Sequence, residues 1–315
     1  MDDILQYILS SPLESIIEKI DFYGNKFSLE FEACSIVNAR SGLCGGDCKY
    51  CAQSGNSSAE IDIYPLLSDE QIIKKAVYNK LCGASRFSIV TSGQSLSEPE
   101  LERICRLIPK LKEKTGMEIC ASLGFLDKNQ LRMLKSAGLS RYHHNIETSP
   151  GYYPKIVSTH KFEERVKTVL SAKDAGLEVC CGGIIGMGET WQDRLDMALL
   201  LKQISPNAVP LNMFVPIKGT PLGGLKMILR EEALRSIALF RILLGGTDIK
   251  IIAGREILFS EDPALPFKFG ANGAMVGGYL TIKGEGVESD LQFVKTISAM
   301  FSNSVPKDVL DNKQL

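Results

Sequence analysis

Short runs rich in β-branched and apolar residues alternate along this chain with longer runs whose apolar positions recur every three to four residues. The first pattern predicts strands buried on both faces, and the second predicts amphipathic helices. Strands are expected over 32–38, 86–91, 118–123, 141–147, 178–185, 208–215, 249–253 and 274–277. Helices are expected over 69–81, 98–114, 128–137, 162–175, 191–203, 230–244 and 290–301, with a short one near 262–269. Gly138 and Gly176 follow two of these helices and suit left-handed caps. Residues 1–27 read as an N-terminal extension of one or two short helices. Eight βα alternations joined by short loops predict an α/β fold, a closed (β/α)8 TIM-type barrel over 28–304. Residues 305–315 are then a C-terminal tail. An open doubly wound sheet is the alternative. In either case functional residues should gather at the C-terminal ends of the strands.

Composition narrows the partners. The chain has 315 residues with 36 basic against 37 acidic side chains, so it carries no basic footprint for nucleic acid and no polybasic membrane patch. No apolar run reaches the roughly 18 residues that span a bilayer. The start, Met1-Asp-Asp-Ile-Leu, lacks the basic opening of a secretory signal. Nine cysteines, an odd number, then read as reduced thiols, ligands or core residues in a reducing cytoplasm.

Chemistry concentrates in one loop after the first strand, Ser41-Gly-Leu-Cys-Gly-Gly-Asp-Cys-Lys-Tyr-Cys51. Cys44, Cys48 and Cys51 form a C-x3-C-x2-C pattern. Three thiolates this close can hold three corners of an iron–sulfur cube and leave the fourth iron open. A structural zinc site is an alternative, but zinc normally takes four protein ligands, and no fourth Cys or His lies nearby in sequence. A redox pair of Cys48 and Cys51 is another, made less apt by Cys44. Gly45 and Gly46 let the backbone wrap closely. Tyr50 offers an aromatic face for a flat ligand, or a simple loop anchor.

A C-x3-C-x-aromatic-C loop after the first strand of a βα barrel resembles the radical S-adenosylmethionine superfamily. That resemblance implies a [4Fe–4S] cluster whose open iron chelates S-adenosylmethionine. Reductive cleavage then gives a 5′-deoxyadenosyl radical that takes hydrogen from an unactivated carbon. Further segments are similar to the biotin synthase family within it. They are Arg141-Tyr-His-His-Asn-Ile-Glu-Thr-Ser149, Gly182-Gly-Ile-Ile-Gly-Met-Gly-Glu-Thr190, Pro210-Leu-Asn-Met-Phe214 with Lys218-Gly-Thr-Pro221, and Ala253-Gly-Arg-Glu256. The order and spacing of these segments make the likeness specific.

The resemblance implies sulfur insertion into dethiobiotin, a flavodoxin or ferredoxin electron donor, and a homodimer. It assigns S-adenosylmethionine to Tyr50, Gly93, Asn145, Glu147, Arg165 and Ile184. It assigns substrate to His143, Asn145 and Asn212. Strand alternation independently puts His143, Asn145 and Glu147 on one face, a polar stripe inside a barrel. Glu147 stands where the family has Asp, and His143 where it usually has Asn. Arg165 can instead pair with Glu163 or Glu164, Ile184 can be core, and Asn212 can cap a strand-end turn. The glycine run 182–188 is expected to let the backbone approach S-adenosylmethionine.

The family's sulfur comes from an auxiliary cluster held by three cysteines and an arginine. Cys120 and Cys180 match two of those positions, but Ser88 and Lys250 occupy the others. Alternate strands of a βα barrel contribute to common interior layers. That places Cys34, Cys120, Cys180 and Lys250 within reach of one another. The expectation is an auxiliary iron–sulfur cluster of altered type on the three cysteines, with Lys250 beside it. Cys181 should face the helices, and Cys82 and Cys105 read as core residues.

Overall fold

The computed structural model describes residues 2–27, 29–42, 44–278 and 286–302. Helices α1 (Asp2–Ser10) and α2 (Leu13–Phe27) precede the first strand, β1 (Glu32–Arg40), and lie against a later helix. Then come α3 (Asp69–Leu81), β2 (Arg86–Thr91), α4 (Glu98–Thr115), β3 (Glu118–Ser122), α5 (Lys128–Ser136) and β4 (Arg141–His143). The middle of the chain holds α6 (Tyr153–Ile156), α7 (Phe162–Asp174), β5 (Glu178–Cys180), β6 (Gly183–Ile185), α8 (Trp191–Ile204) and β7 (Ala208–Met213). It ends with α9 (Arg230–Leu244), β8 (Asp248–Ile251), α10 (Arg255–Leu258), α11 (Leu265–Lys268), β9 (Gly273–Met275) and α12 (Val287–Ser302). The expected tail, 305–315, lies outside the described residues.

All paired strands run parallel, and the sheet closes because β5 and β6 both pair with β7. The pairings Cys180 with Ala208 and Gly183 with Leu211 keep one register. β5 and β6 are therefore one barrel strand with a break, and the barrel has eight strand positions. The break comes from close packing. A Cβ on Gly182 would lie 2.0 Å from the Pro210 carbonyl oxygen, and one on Gly183 would lie 2.4 Å from that of Glu147. Gly182 and Gly183 thus serve close contacts within the chain.

Helix ends follow local chemistry. Ser68, Asp127 and Thr190 each accept backbone N–H bonds at the starts of α3, α5 and α8. Gly138 and Gly176 take φ of +95° and +80° after α5 and α7, as their positions foretold. In α4, Leu101, Ile104, Leu107, Ile108 and Leu111 form one buried stripe. Truncating a fully buried leucine such as Leu107 to alanine costs about 2–5 kcal/mol.

Parity divides the sheet into two environments. Phe87, Ile89, Ile119, Ala121, Tyr142, Val179, Cys181, Val209, Leu211, Ile249 and Ile251 belong to the apolar core between sheet and helices. The alternate positions face the barrel axis and include Glu32, Cys34, Arg86, Ser88, Cys120, Arg141, His143, Cys180 and Lys250. Cys181 lies on the helix side and Cys82 is fully buried in the same core. Cys105 is partly buried on α4 against it.

Candidate active site

The three-cysteine loop leaves the C-terminal end of β1 and crosses the barrel mouth. Its backbone turns tightly: Cys51 N–H donates to the Cys48 carbonyl at 3.1 Å, and Cys44 N–H to that of Gln53 at 2.7 Å. Lys49 ties the loop to both sides of the barrel. Its N–H donates to Ile156 after β4, and its carbonyl accepts from Leu222 after β7. The Asp47 carboxylate accepts from Ser158 N–H at 2.9 Å, Thr159 N–H at 3.1 Å and the Thr159 hydroxyl at 2.8 Å. Burial opposes its charge, but the donors of Ser158 and Thr159 together outweigh it and hold the carboxyl well below the usual range.

Cys44, Cys48 and Cys51 are each half-buried. Burial pushes the Cys48 thiol up to about 11 and raises that of Cys51. Bound metal offsets such a cost, since a coordinating thiol is deprotonated outright. Among the described residues no three His, Cys, Asp or Glu side chains close around a single ion. A cube of iron and sulfur is wider than one ion and takes ligands set farther apart.

Beside the loop, the expected long strand over 141–147 is regular only through His143. Ile146 and Glu147 both donate to the Gly182 carbonyl, and Glu147 takes φ of +70°. That conformation is strained for a residue with a side chain and concentrates at functional positions. Glu147 is buried, with Arg165 Nη1 at 3.3 Å from its carboxylate. Arg165 also donates to the Asn145 carbonyl at 3.0 Å and to the Tyr153 hydroxyl at 2.7 Å. It pairs with Glu147 and makes no ion pair with Glu163 or Glu164 among the described residues. Burial opposes the Arg165 charge, but Tyr50 and Glu147 outweigh it and raise the guanidinium above its ordinary value. The Tyr50 hydroxyl faces Glu147 and Cys48, which puts it between loop and pocket.

Asn145 Oδ1 accepts from Gly182 N–H at 3.1 Å. Ile184 pairs in register with Asn212, whose side chain donates to the Gly183 carbonyl at 3.2 Å. Gly93 follows β2 at φ +94°, and a Cβ there would lie 2.6 Å from Arg40. Tyr50, Gly93, Asn145, Glu147, Arg165, Ile184 and Asn212 thus all lie at or beyond the C-terminal ends of the barrel strands. Gln53 Oε1 and Thr91 Oγ1 are buried there without a hydrogen-bond partner among the described residues. Buried polar atoms normally have one, so the mouth fits a polar guest.

Deeper in the barrel is a second thiol group. Cys34, Cys120 and Cys180 are buried, and Lys250 Nζ lies 2.9 Å from Cys34 Sγ. Burial pushes Cys120 up to about 11 and Cys180 up to about 12; Cys34 raises both, and Cys120 also raises Cys180. Glu32 receives Lys250, Arg86 (2.7 Å) and Arg141 (3.2 Å). Burial would raise its carboxyl, but Lys250, Arg141 and Arg86 together hold it at about 2. Burial likewise opposes charge on Lys250, and Cys34 and Glu32 outweigh it, so the amine stays protonated. Ser88 Oγ lies 3.4 Å from His143 Nδ1. Burial and then Arg141, Lys250 and Arg86 push His143 down to about 3, so the imidazole is neutral at pH 7. Arg86 Nη1 is buried and has no hydrogen-bond partner among the described residues. Glu178, more exposed, also meets Arg141 at 2.9 Å and Arg86 at 3.3 Å. A chamber with two buried cations, Lys250 and Arg141, a partly buried Arg86 with a donor to spare, and two carboxylates to balance them fits an anionic group held by thiolates.

Comparison with known proteins decides the family. The signature described as "Radical SAM superfamily" matches residues 40–201, and "Biotin and Thiamin Synthesis associated domain" matches 210–298. The chain is 49% identical over 273 residues to biotin synthase of Pelotomaculum thermopropionicum, covering 87% of this chain and 84% of that one. It is 47% identical over 292 residues to biotin synthase of Thermotoga petrophila, covering 92% and 97%.

The chain belongs to the biotin synthase family.

Among solved structures, methylornithine synthase matches with a TM-score of 0.79 at 20% identity over 97% of this chain and 96% of that one. The [FeFe]-hydrogenase maturase HydG of Carboxydothermus hydrogenoformans matches with a TM-score of 0.77 at 16% identity, over 93% and 73%. These likenesses concern the fold alone.

Against this family background, sequence reasoning missed several residues of the two sites. Asp47 gave no signal, because its partners lie over 110 positions away. Glu32, Arg86 and Arg141 did carry one. They share inward parity with Cys34, Ser88 and His143, and charges at that parity require partners inside the barrel. Tyr153 and His160 also face the loop and were not singled out. No helix among the described residues is long and apolar enough to cross a membrane.

Proposed function

We propose that this chain is a radical S-adenosylmethionine enzyme that inserts sulfur into dethiobiotin to make biotin. The observation that carries this reading is one barrel with two cysteine groups at two depths, in a chain nearly half identical to biotin synthases. Cys44, Cys48 and Cys51 would hold a [4Fe–4S] cluster. When bound, that cluster and S-adenosylmethionine supply an electron and a 5′-deoxyadenosyl radical for hydrogen abstraction. The protein positions and shields. Arg165 offers its fork to the cofactor carboxylate, and Glu147 offers acceptors to ribose hydroxyls. Asn145 reaches both cofactor and substrate, Tyr50 and Ile184 offer apolar faces for adenine, and Gly93 keeps the backbone close. His143 and Asn212 meet the substrate. Neutral His143 can both donate and accept there, unlike a charged imidazolium.

Cys34, Cys120 and Cys180 would hold the auxiliary cluster that delivers sulfur. Lys250 stays protonated and donates a hydrogen bond toward it, as does the free Nη1 of Arg86. Flavodoxin or ferredoxin supplies electrons, and two copies of the chain associate. The substitutions at Ser88, Lys250 and His143 favour a second reading, a radical enzyme acting on another small substrate. Anaerobically reconstituted protein with S-adenosylmethionine, dithionite and dethiobiotin separates the two. Biotin formation supports the proposal. Release of 5′-deoxyadenosine without biotin supports the second reading, and release of neither leaves only a cluster-binding protein.

A further inference from the structure

His160 and Tyr153 have no part in the functions assigned above, yet they connect Arg165 to the cysteine loop. Arg165 Nε donates to the Tyr153 hydroxyl oxygen at 2.7 Å. That oxygen lies 2.7 Å from His160 Nδ1, and His160 Nε2 lies 3.8 Å from Cys48 Sγ. The direction of these bonds follows from donor inventory. A guanidinium only donates, so the tyrosine oxygen accepts from Arg165 and its single hydrogen is free for His160 Nδ1. A neutral imidazole accepting at Nδ1 carries its hydrogen on Nε2. That hydrogen then points at Cys48, whose sulfur, once bound to iron, can only accept.

Packing fixes the arrangement. Tyr153 is buried, with Phe162 edge-on at 5.3 Å, and Phe125 meets the His160 ring at 5.2 Å. Gly46 packs beside Nε2, where a Cβ would stand at an ordinary contact distance of 3.6 Å. The Gly46 N–H lies 3.4 Å from Cys44 Sγ, so a second loop sulfur also has a donor. The Tyr50 hydroxyl faces Cys48 as well, but it also serves Glu147.

We propose that Tyr153 and His160 are positioning residues that, oriented by Arg165, hold a hydrogen-bond donor on the Cys48 sulfur and raise the reduction potential of the cluster bound there. The inference rests on the reading that the loop holds a cluster. A donor on a ligating sulfur stabilises the more negative, reduced cluster more than the oxidised one.

The test is an EPR-monitored redox titration of reconstituted protein without substrate. The signal followed is the [4Fe–4S] signal that responds to S-adenosylmethionine in a parallel sample. In His160→Phe the reduced-to-oxidised ratio at fixed potential should fall about tenfold, a midpoint lower by about 59 mV for one electron. His160→Gln places an amide N–H near the same point and should stay close to wild type. Tyr153→Phe frees the tautomer and should shift the midpoint the same way by less. An unchanged midpoint in cluster-loaded His160→Phe overturns the inference, and so does an equal shift in His160→Gln, which would report ring packing instead. An unchanged Tyr153→Phe overturns the ordering role. Wild-type protein that takes up no reducible cluster overturns the functional reading itself, and this inference with it.

Discussion

The barrel mouth and the chamber beneath it hold three cysteines each, by opposite means. Cys44, Cys48 and Cys51 sit half-buried on irregular backbone, positioned by turns, by Lys49 and by Asp47. Cys34, Cys120 and Cys180 sit buried on regular strands, positioned by parity and register. The polar surroundings differ as well. The loop thiols meet a backbone amide, an imidazole and a phenol, whereas the deep thiols lie beside a lysine and two arginines balanced chiefly on Glu32, with Glu178 also pairing the arginines. A loop can shift to accept a cluster and then a cofactor. A chamber built on strands cannot shift without moving the whole sheet, so its charge must be settled in the fold.

The largest expected effect follows from that last point. Glu32→Gln should destabilise the apo protein by about 3 kcal/mol at pH 7, from a carboxyl held at about 2 against an ordinary 4.5. A depressed carboxyl stabilises the fold fully above its unfolded value and loses that contribution as pH falls through the folded one. Wild type should therefore lose this stability between about pH 4.5 and 2, and the variant should be flatter across that window. Urea unfolding from pH 7 to 3 reads both. Equal stabilities at pH 7 would mean that the chamber charges are not balanced on Glu32.

Next is Arg165→Lys. Lysine keeps the charge but cannot donate to Tyr153, Asn145 and Glu147 in one fork. Binding of S-adenosylmethionine to cluster-loaded protein should weaken by roughly tenfold or more, about one charged hydrogen bond, with iron content unchanged. Equilibrium dialysis checks it, and unaltered affinity would remove Arg165 from the cofactor site.

Smallest is Asp47→Asn, which keeps one acceptor and loses the charge and the other. Loss of iron to a chelator should speed up by about two- to tenfold, on the scale of one neutral hydrogen bond. The deep cluster should not respond. A uniform loss from both clusters would erase the mechanical distinction between loop and chamber.

The two regions were also unequally legible in the sequence. The loop motif stands in eight consecutive residues, so spacing alone exposed Cys44, Cys48 and Cys51. The eight strand positions were legible because apolar periodicity switches cleanly between strand and helix. The break between β5 and β6 was not, since it arises from contacts of Gly182 with Pro210 and Gly183 with Glu147 that lie far apart in the chain. The short β4 had the same origin: alternation predicted a strand through Glu147, but the Gly182 carbonyl takes two amides and turns the chain early. In the chamber, the cysteine layer could be read from parity. Its charge balance could have been read the same way from Glu32, Arg86 and Arg141. The clamp of Asp47 on Ser158 and Thr159 and the Tyr153–His160 relay depend on tertiary geometry with no local signature.

The central claim is that mouth and chamber hold separate clusters. It is tested most directly by Mössbauer spectra with iron and sulfide counts per chain, comparing wild type with Cys34→Ala after anaerobic reconstitution. The variant should lose the auxiliary cluster, keep the [4Fe–4S] spectrum of the loop, and still release 5′-deoxyadenosine without making biotin. Identical counts and spectra in the two proteins would return Cys34 to the role of a buried core thiol and contradict the account.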